Sequence, residues 1–331
     1  MAATTVAVRL PASSASASFS NSPSPLEAAR AATATVSTDL RPRHPATCIR
    51  GDRLRVVRVT DRRQQRIFTS IPWRPAPSDT TSSAVVRLTA LTSGTKSPAS
   101  FGLTFTNQGL DGSLKNGYHV VVPDHEGSKA ASFVGPVEGH AVLDGLLAAT
   151  SFPDAIPGVS RRTPIAIGGY SGGAHATAWA TQLYKSYAPS LNIKGQVIGG
   201  TPVNLTNTLL FLNKGIYAGF ALAGVMGEYL VYPELKQYID DNIYPNGTAL
   251  FKDFMDNNFS YFKIPNALDD PIAKKRLGEN LLGNDGKKLP IPTIMFHGDA
   301  DDVIPYQDAV DYAKSQCAKG AQVHFYSDAG K

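Results

Sequence analysis

Residues 168–174 read "GGYSGGA", a serine with glycines on both sides. In a nucleophile elbow a strand bends sharply into a helix and holds the serine at the apex in a strained conformation. Glycines two residues to either side, here Gly169 and Gly173, let strand and helix approach without side-chain clash. Ser171 then projects its hydroxyl above the sheet, and the N–H of Gly172 points to where an oxyanion would form. The short pattern alone is weak in a chain with 29 glycines, so its surroundings decide. The apolar run "TPIAIGG" precedes it. The alanine-rich "AHATAWATQLYKSYA" follows, with Ala174, Ala176 and Ala180 keeping the helix narrow near the bend. A phosphate-binding loop would want Gly-Lys-Ser/Thr, which is absent, and the dinucleotide G-x-G-x-x-G spacing does not fit.

The same alternation extends outward from the serine. "GYHVVVPD" reads as a strand ended by Pro123, and "GPVEGHAVLDGLLAAT" as a helix with Val137, Ala141, Leu143, Leu146 and Leu147 on its apolar face. "IKGQVIGG", "IPTIMFHG" and "AQVHFYS" read as further strands. "PYQDAVDYAKSQCAKG" is a helix with Pro305 and Asp308 early, Lys314 and Lys319 late, and Gly320 as its stop. Its stripe of Tyr306, Val310, Ala313 and Cys317 makes Cys317 a core residue. Short apolar strands alternating with amphipathic helices predict an α/β fold, a mostly parallel doubly wound sheet covered on both faces. One block breaks the alternation. Residues from about 204 to 286 read as helical and strand-free, too long for a connection within a compact sheet, and predict an inserted cap.

A serine hydroxyl needs a base, oriented in turn by a carboxylate, and in this fold the chain order is Ser, acid, His. After the strand at 291–297, "FHGDADDVIPY" offers Asp299, Asp301 and Asp302. The His-Gly-x-x-Asp-x-x-Val/Ile-Pro phrase common after this strand in such hydrolases selects Asp301. A calcium loop would need a glycine and a distal glutamate at fixed offsets, and neither is present.

The net charge of +5 is unevenly placed. Residues 1–95 hold thirteen Arg, no Lys and five acids, a balance of +8, whereas residues 96–331 carry −3. The basic character belongs to the N-terminal segment, so no nucleic-acid partner is expected. Residues 1–100 form a low-complexity Arg/Ser/Ala-rich segment without sustained periodicity. They are expected to be either disordered or not native coding sequence, and residues 101–331 to hold the core. No apolar run is long enough for a transmembrane segment, "GIYAGFALAGVMG" at 215–227 being too short. The Met1 end shows no clear signal peptide, although sequons stand at Asn204, Asn246 and Asn258. The two cysteines support neither a disulfide framework nor a metal cluster.

"VVVPDHEG", "EGHAVLDG", "GYSGGAHATAWA", "IPTIMFHGDADDVIPY" and "SQCAKGAQVHFYSDAG" occur in that order, and together they resemble the fungal secretory lipase family of the lipase A type. The resemblance covers about residues 117–331. It implies an α/β-hydrolase core with a helical lid at the insertion and hydrolysis of carboxylic esters, triacylglycerols among them, at a lipid–water interface. It also implies secretion, Ser171 as nucleophile and Asp301 as triad acid. The amide of Asp124 would join that of Gly172 in the oxyanion hole, and no metal or cofactor is needed. The family's histidine falls in the loop after the last strand, a few residues past "YSDAG", whereas the last histidine here is His324, within that strand. His119, His125, His140, His175 and His297 are poor substitutes. The expectation is therefore a chain cut short of its base. The alternative is a non-catalytic hydrolase-fold protein that binds acyl lipids.

Overall fold

The computed structural model describes residues 6–9, 46–47, 57–59, 118–151, 159–213, 215–243, 259 and 262–329. At its centre is a parallel run of four strands: β5 (Ile165–Tyr170), β6 (Ile193–Gly199), β7 (Thr293–Gly298) and β8 (Val323–Asp328). The short strands β1 (Val6–Arg9) and β4 (Val120–Val121) extend it beyond β5, where β1 runs antiparallel to both β4 and β5. At the other edge β2 (Ala46–Thr47) pairs antiparallel and β3 (Val57–Val59) parallel with β8. Three pieces of the N-terminal hundred residues thus lie in the sheet. The remainder of that segment, whose low complexity argued for disorder, falls outside the described residues.

Helix α1 (Gly135–Ser151) precedes β5, α2 (Gly172–Tyr187) joins β5 to β6, and α7 (Tyr306–Ala318) joins β7 to β8. Each forms where the period-3.6 pattern predicts it. Between β6 and β7 come α3 (Leu205–Leu212), α4 (Ala218–Val231), α5 (Pro233–Asn242) and α6 (Pro271–Glu279). Local chemistry sets their starts: Asn204 accepts the Asn207 amide at 3.2 Å, Asp270 accepts that of Ile272 at 2.8 Å, and prolines open α5 and α6. Among the described residues of this block the only β pairing is one bridge between Ile243 and Phe262.

Two apolar clusters hold the helices to the sheet. One joins Val142, Leu143 and Leu146 of α1 to Ile165 and Ile167 of β5, and to Ala176 and Ala180 of α2. The other joins Ala174, Ala178 and Trp179 of α2 to Met295, Val323 and Phe325, and to Ala309, Val310 and Cys317 of α7. Cys317 is buried as its stripe position implies, and it is disulfide-bonded, which the spacing of the two cysteines did not suggest. The inward face of α1 differs from the one read from sequence. Val137 is exposed, and the buried face carries Gly135, Glu138 and Gly139. There the indole of Trp179 packs so close to Gly135 that a Cβ would stand 2.0 Å from its ring nitrogen. A glycine-lined notch in α1 therefore receives the large side chain of α2.

Candidate active site

Parallel strands deliver their C-terminal ends, and the loops that follow, to one edge of the sheet. Ser171 follows β5, the Asp299–Asp302 loop follows β7, and β8 ends at Asp328. Backbone bonds knit these ends together. The Ser171 amide donates to the Gly199 carbonyl at 2.9 Å, Gly200 to Phe296 at 3.1 Å, and Asp299 to Asp328 at 2.8 Å.

Ser171 has φ 56° and ψ −123°, a region that an L side chain enters only under constraint. The constraint is visible on both sides. The Ser171 carbonyl accepts the amides of Ala174 and His175 at 2.9 and 3.1 Å, which starts α2 immediately behind the serine. A Cβ on Gly169 would stand 2.1 Å from the carbonyl oxygen of Gly173, so the bend closes only if residue 169 is glycine. Gly169, Ser171 and Gly173 thus lie on a tight strand-to-helix bend. Gly172 is the first residue of α2, directly after Ser171 at the start of that helix.

Asp301 is anchored by its own loop and by the end of β7. Oδ1 accepts the amides of Val303 and Ile304 at 2.8 and 2.9 Å, and Oδ2 stands 3.1 Å from His297 Nε2. Burial opposes ionisation, but His297 and these two amides outweigh it and hold the carboxyl below the usual carboxylate range. Its charge also reaches the elbow. Burial first, and then the Asp301 charge, push the phenol of Tyr170 above its ordinary range. Tyr170 precedes the serine and stacks on Phe296, the ring centroids 6.0 Å apart.

Asp124 follows β4 on a tight loop, and Oδ1 accepts the Gly127 amide at 3.0 Å. The loop continues through a 3-10 turn at Gly127–Lys129 and two left-handed residues, Ala130 and Phe133. It closes on the elbow, because a Cβ on Gly172 would stand 3.7 Å from the Phe133 ring. The residues expected to supply the two oxyanion amides therefore lie on the two segments that meet at Phe133.

None of the described histidines hydrogen-bonds the Ser171 hydroxyl. His175 is fully buried, with Nδ1 2.7 Å from Glu138 Oε2 and Nε2 accepting the Trp179 indole N–H at 3.2 Å. His297 is buried against Asp301 and edge-on to Tyr306. His140 packs against the Tyr187 ring at 4.4 Å, His324 is buried within β8, and His119 and His125 flank β4 and the loop after it. Sequence reading missed Glu138 altogether. A lone glutamate in the first turn of a helix reads as a solvated charge, and only the small residues around it, Gly135 and Gly139, hinted that this face is pressed against another helix.

Residues 102–261 match the Secretory lipase family. That segment resembles the secretory lipases. The similarity runs beyond it: lipase A of Moesziomyces aphidis is 40% identical over 232 residues, 64% of this chain and 49% of that protein. The secreted triacylglycerol lipase LIP3 of Malassezia restricta is 38% identical over 230 residues, 64% of this chain and 48% of that protein. Among solved structures, Candida antarctica lipase A in its closed state superposes with a TM-score of 0.65 at 34% identity. That match covers 72% of this chain and 59% of the other. The fold is accordingly that of the α/β-hydrolases. The chain spans about half the length of the curated relatives it matches.

Proposed function

We propose that the protein hydrolyses carboxylic esters of long acyl chains, triacylglycerols among them, through an acyl-enzyme on Ser171. The observation that carries this reading is the strained serine at φ 56°, ψ −123°, directly before the amide of Gly172 at a helix N-terminus. In this reading Ser171 Oγ attacks the ester carbonyl carbon and gives its proton to a base. The carbonyl oxygen takes up the electron pair and is held by the amides of Gly172 and Asp124. Collapse breaks the bond to the alkoxy oxygen, which leaves as alcohol with the proton from the base. Water, deprotonated by the same base, then releases the fatty acid and restores the serine. Asp301, held ionised by amides of its own loop, orients the base.

The base is assigned to the segment that follows β8. β8 pairs with β7 so that Asp328 lies opposite Gly298, which places the end of β8 beside the loop that carries Asp301. The helical insertion would act as the lid. Its Leu210, Phe211 and Ile216 are exposed, the last at 62%, which supports contact with a lipid–water interface. Secretion is inferred from relatives named as secreted lipases. Of the sequons, Asn204 caps α3 at a partly exposed position, while Asn246 and Asn258 lie outside the described residues. The test is ester hydrolysis by the full-length protein with short and long acyl chains, before and after Ser171→Ala. Loss of essentially all turnover is expected, and retained turnover would refute the assignment.

A further inference from the structure

Behind the elbow lies a buried polar cluster that no step of acyl transfer uses directly. Glu138, in the first turn of α1, accepts the Phe133 amide on Oε1 at 2.8 Å and faces His175 Nδ1 with Oε2 at 2.7 Å. The indole N–H of Trp179 can only donate, so His175 Nε2 is unprotonated and the ring proton sits on Nδ1. The pair is therefore a carboxylate receiving two N–H groups, one from the Phe133 backbone and one from a neutral imidazole, in the first turn of a helix.

What the carboxylate holds is a turn under strain. Phe133 has φ 62°, where a bulky residue costs roughly 1–3 kcal/mol. Its ring lies against Gly172, packs edge-on to His175 at 5.6 Å, and reaches α4, where a Cβ on Gly224 would stand 3.4 Å from it. Upstream, the loop folds back on itself through the Ala131 amide on the Glu126 carbonyl at 2.9 Å. Glu126 in turn feels the charges of both Glu138 and Asp124. One buried carboxylate thus ties the helix behind the serine to the loop that carries Asp124.

We infer that Glu138, oriented by His175, is a positioning residue for the oxyanion site: it fixes the Phe133 turn and so sets the Asp124 amide against that of Gly172. The inference rests on the hydrolase reading, and its test separates the two. In the full-length protein, Glu138→Gln would be compared with the parent on an ester and on the matching thionoester, whose sulfur is larger and a weaker acceptor than oxygen. Ester kcat is expected to fall about 10–100-fold with KM nearly unchanged, since misplacement by an ångström costs on that order. Thionoester turnover should fall much less, so the preference for oxygen narrows.

His175→Asn retains an N–H near the Nδ1 position and should keep the parent preference. Where Glu138→Gln does not fold, His175→Leu, which deletes one donor to the carboxylate, carries the same expectation. An unchanged oxygen-to-sulfur preference in the soluble variant overturns the inference, whatever happens to the melting temperature. Hydrolysis surviving Ser171→Ala in the same assay would instead overturn the hydrolase reading.

Discussion

Ser171→Gly should make this protein more stable while destroying its hydrolytic activity. With φ 56° and ψ −123°, the serine sits where a side chain costs roughly 1–3 kcal/mol and glycine costs almost nothing. Against that relief stands the greater freedom of glycine in the unfolded chain, about 0.4–1 kcal/mol. The serine hydroxyl accepts and donates nothing among the described residues, so its loss removes no hydrogen bond to any of them. The balance favours glycine by about 0.5–2 kcal/mol, and for a domain of this size each kcal/mol moves the melting midpoint by about 2–4 °C. Ser171→Ala is the control, because it loses the hydroxyl and keeps the strain. Thermal unfolding of the three proteins under one scan rate, paired with ester turnover, gives the comparison. The glycine variant should melt above the alanine variant by about 1–8 °C, with both inactive. Equal midpoints would mean that the bend is not strained, and the geometric basis of the elbow would be lost.

Gly169→Ala should lower stability by about 1–3 kcal/mol and abolish turnover, because the added methyl meets the Gly173 carbonyl at 2.1 Å and backbone cannot yield as a side chain would; denaturant midpoints and ester assays check both. Asp301→Asn should cut kcat by about 10⁴-fold while leaving binding of an uncleavable ester analogue intact, and a loss under tenfold would remove Asp301 as the orienting acid. The Asp301 carboxyl is lowered in the folded state. It therefore stabilises fully above the ordinary carboxylate range and ceases to do so as pH falls through its lowered value, a slope that the same Asp301→Asn substitution should flatten in acid titrations. Glu228 goes the other way. Burial, reinforced by the Glu138 charge, raises its carboxyl to about 9, so the folded protein keeps a proton that the unfolded chain releases from about pH 4.5 upward, and stability is lost as pH rises. Glu228→Gln retains an acceptor for Asn280, which donates to Oε1 at 2.7 Å, and should stabilise by up to about 2 kcal/mol at pH 8 while changing little at pH 4. Equal effects at the two pH values would show that the carboxyl is ionised in place.

The parts of the fold legible in the sequence are those fixed by neighbours along the chain. The run "IPTIMFHG" becomes β7 and "PYQDAVDYAKSQCAKG" becomes α7, ending at Gly320 with φ 79°, because periodicity and end signals act within a few residues. The bend at Ser171 is local too: Gly169 answers a clash with the Gly173 carbonyl four residues on. Strands β1–β3 were not, since each pairs with a strand more than a hundred residues away, and two to four residues of Val, Arg and Thr carry no periodic signal. Part of the apolar face of α1 was misread because Val137 looks like a core residue until α2 is seen to dock through Trp179 on the opposite side, over Gly135 and Gly139.

The same docking explains why the site's supporting residues are invisible to motif reading. Glu138 and His175 stand 37 positions apart, and neither belongs to a catalytic phrase. They meet only because glycines at 135 and 139 bring α1 onto α2. Asn280 extends the arrangement, taking the Gly135 amide on Oδ1 at 2.7 Å while its Nδ2 donates to Glu228 of α4. Gly227, next to that glutamate, lies against Ser132 so tightly that a Cβ would stand 2.2 Å from the Ser132 carbonyl oxygen. The helical insertion therefore rests on residues 132–135, directly before Glu138. Strain at Ser171 and at Phe133 persists because three separate parts of the chain close on that one short stretch, and a sequence motif records only the part that contains the serine.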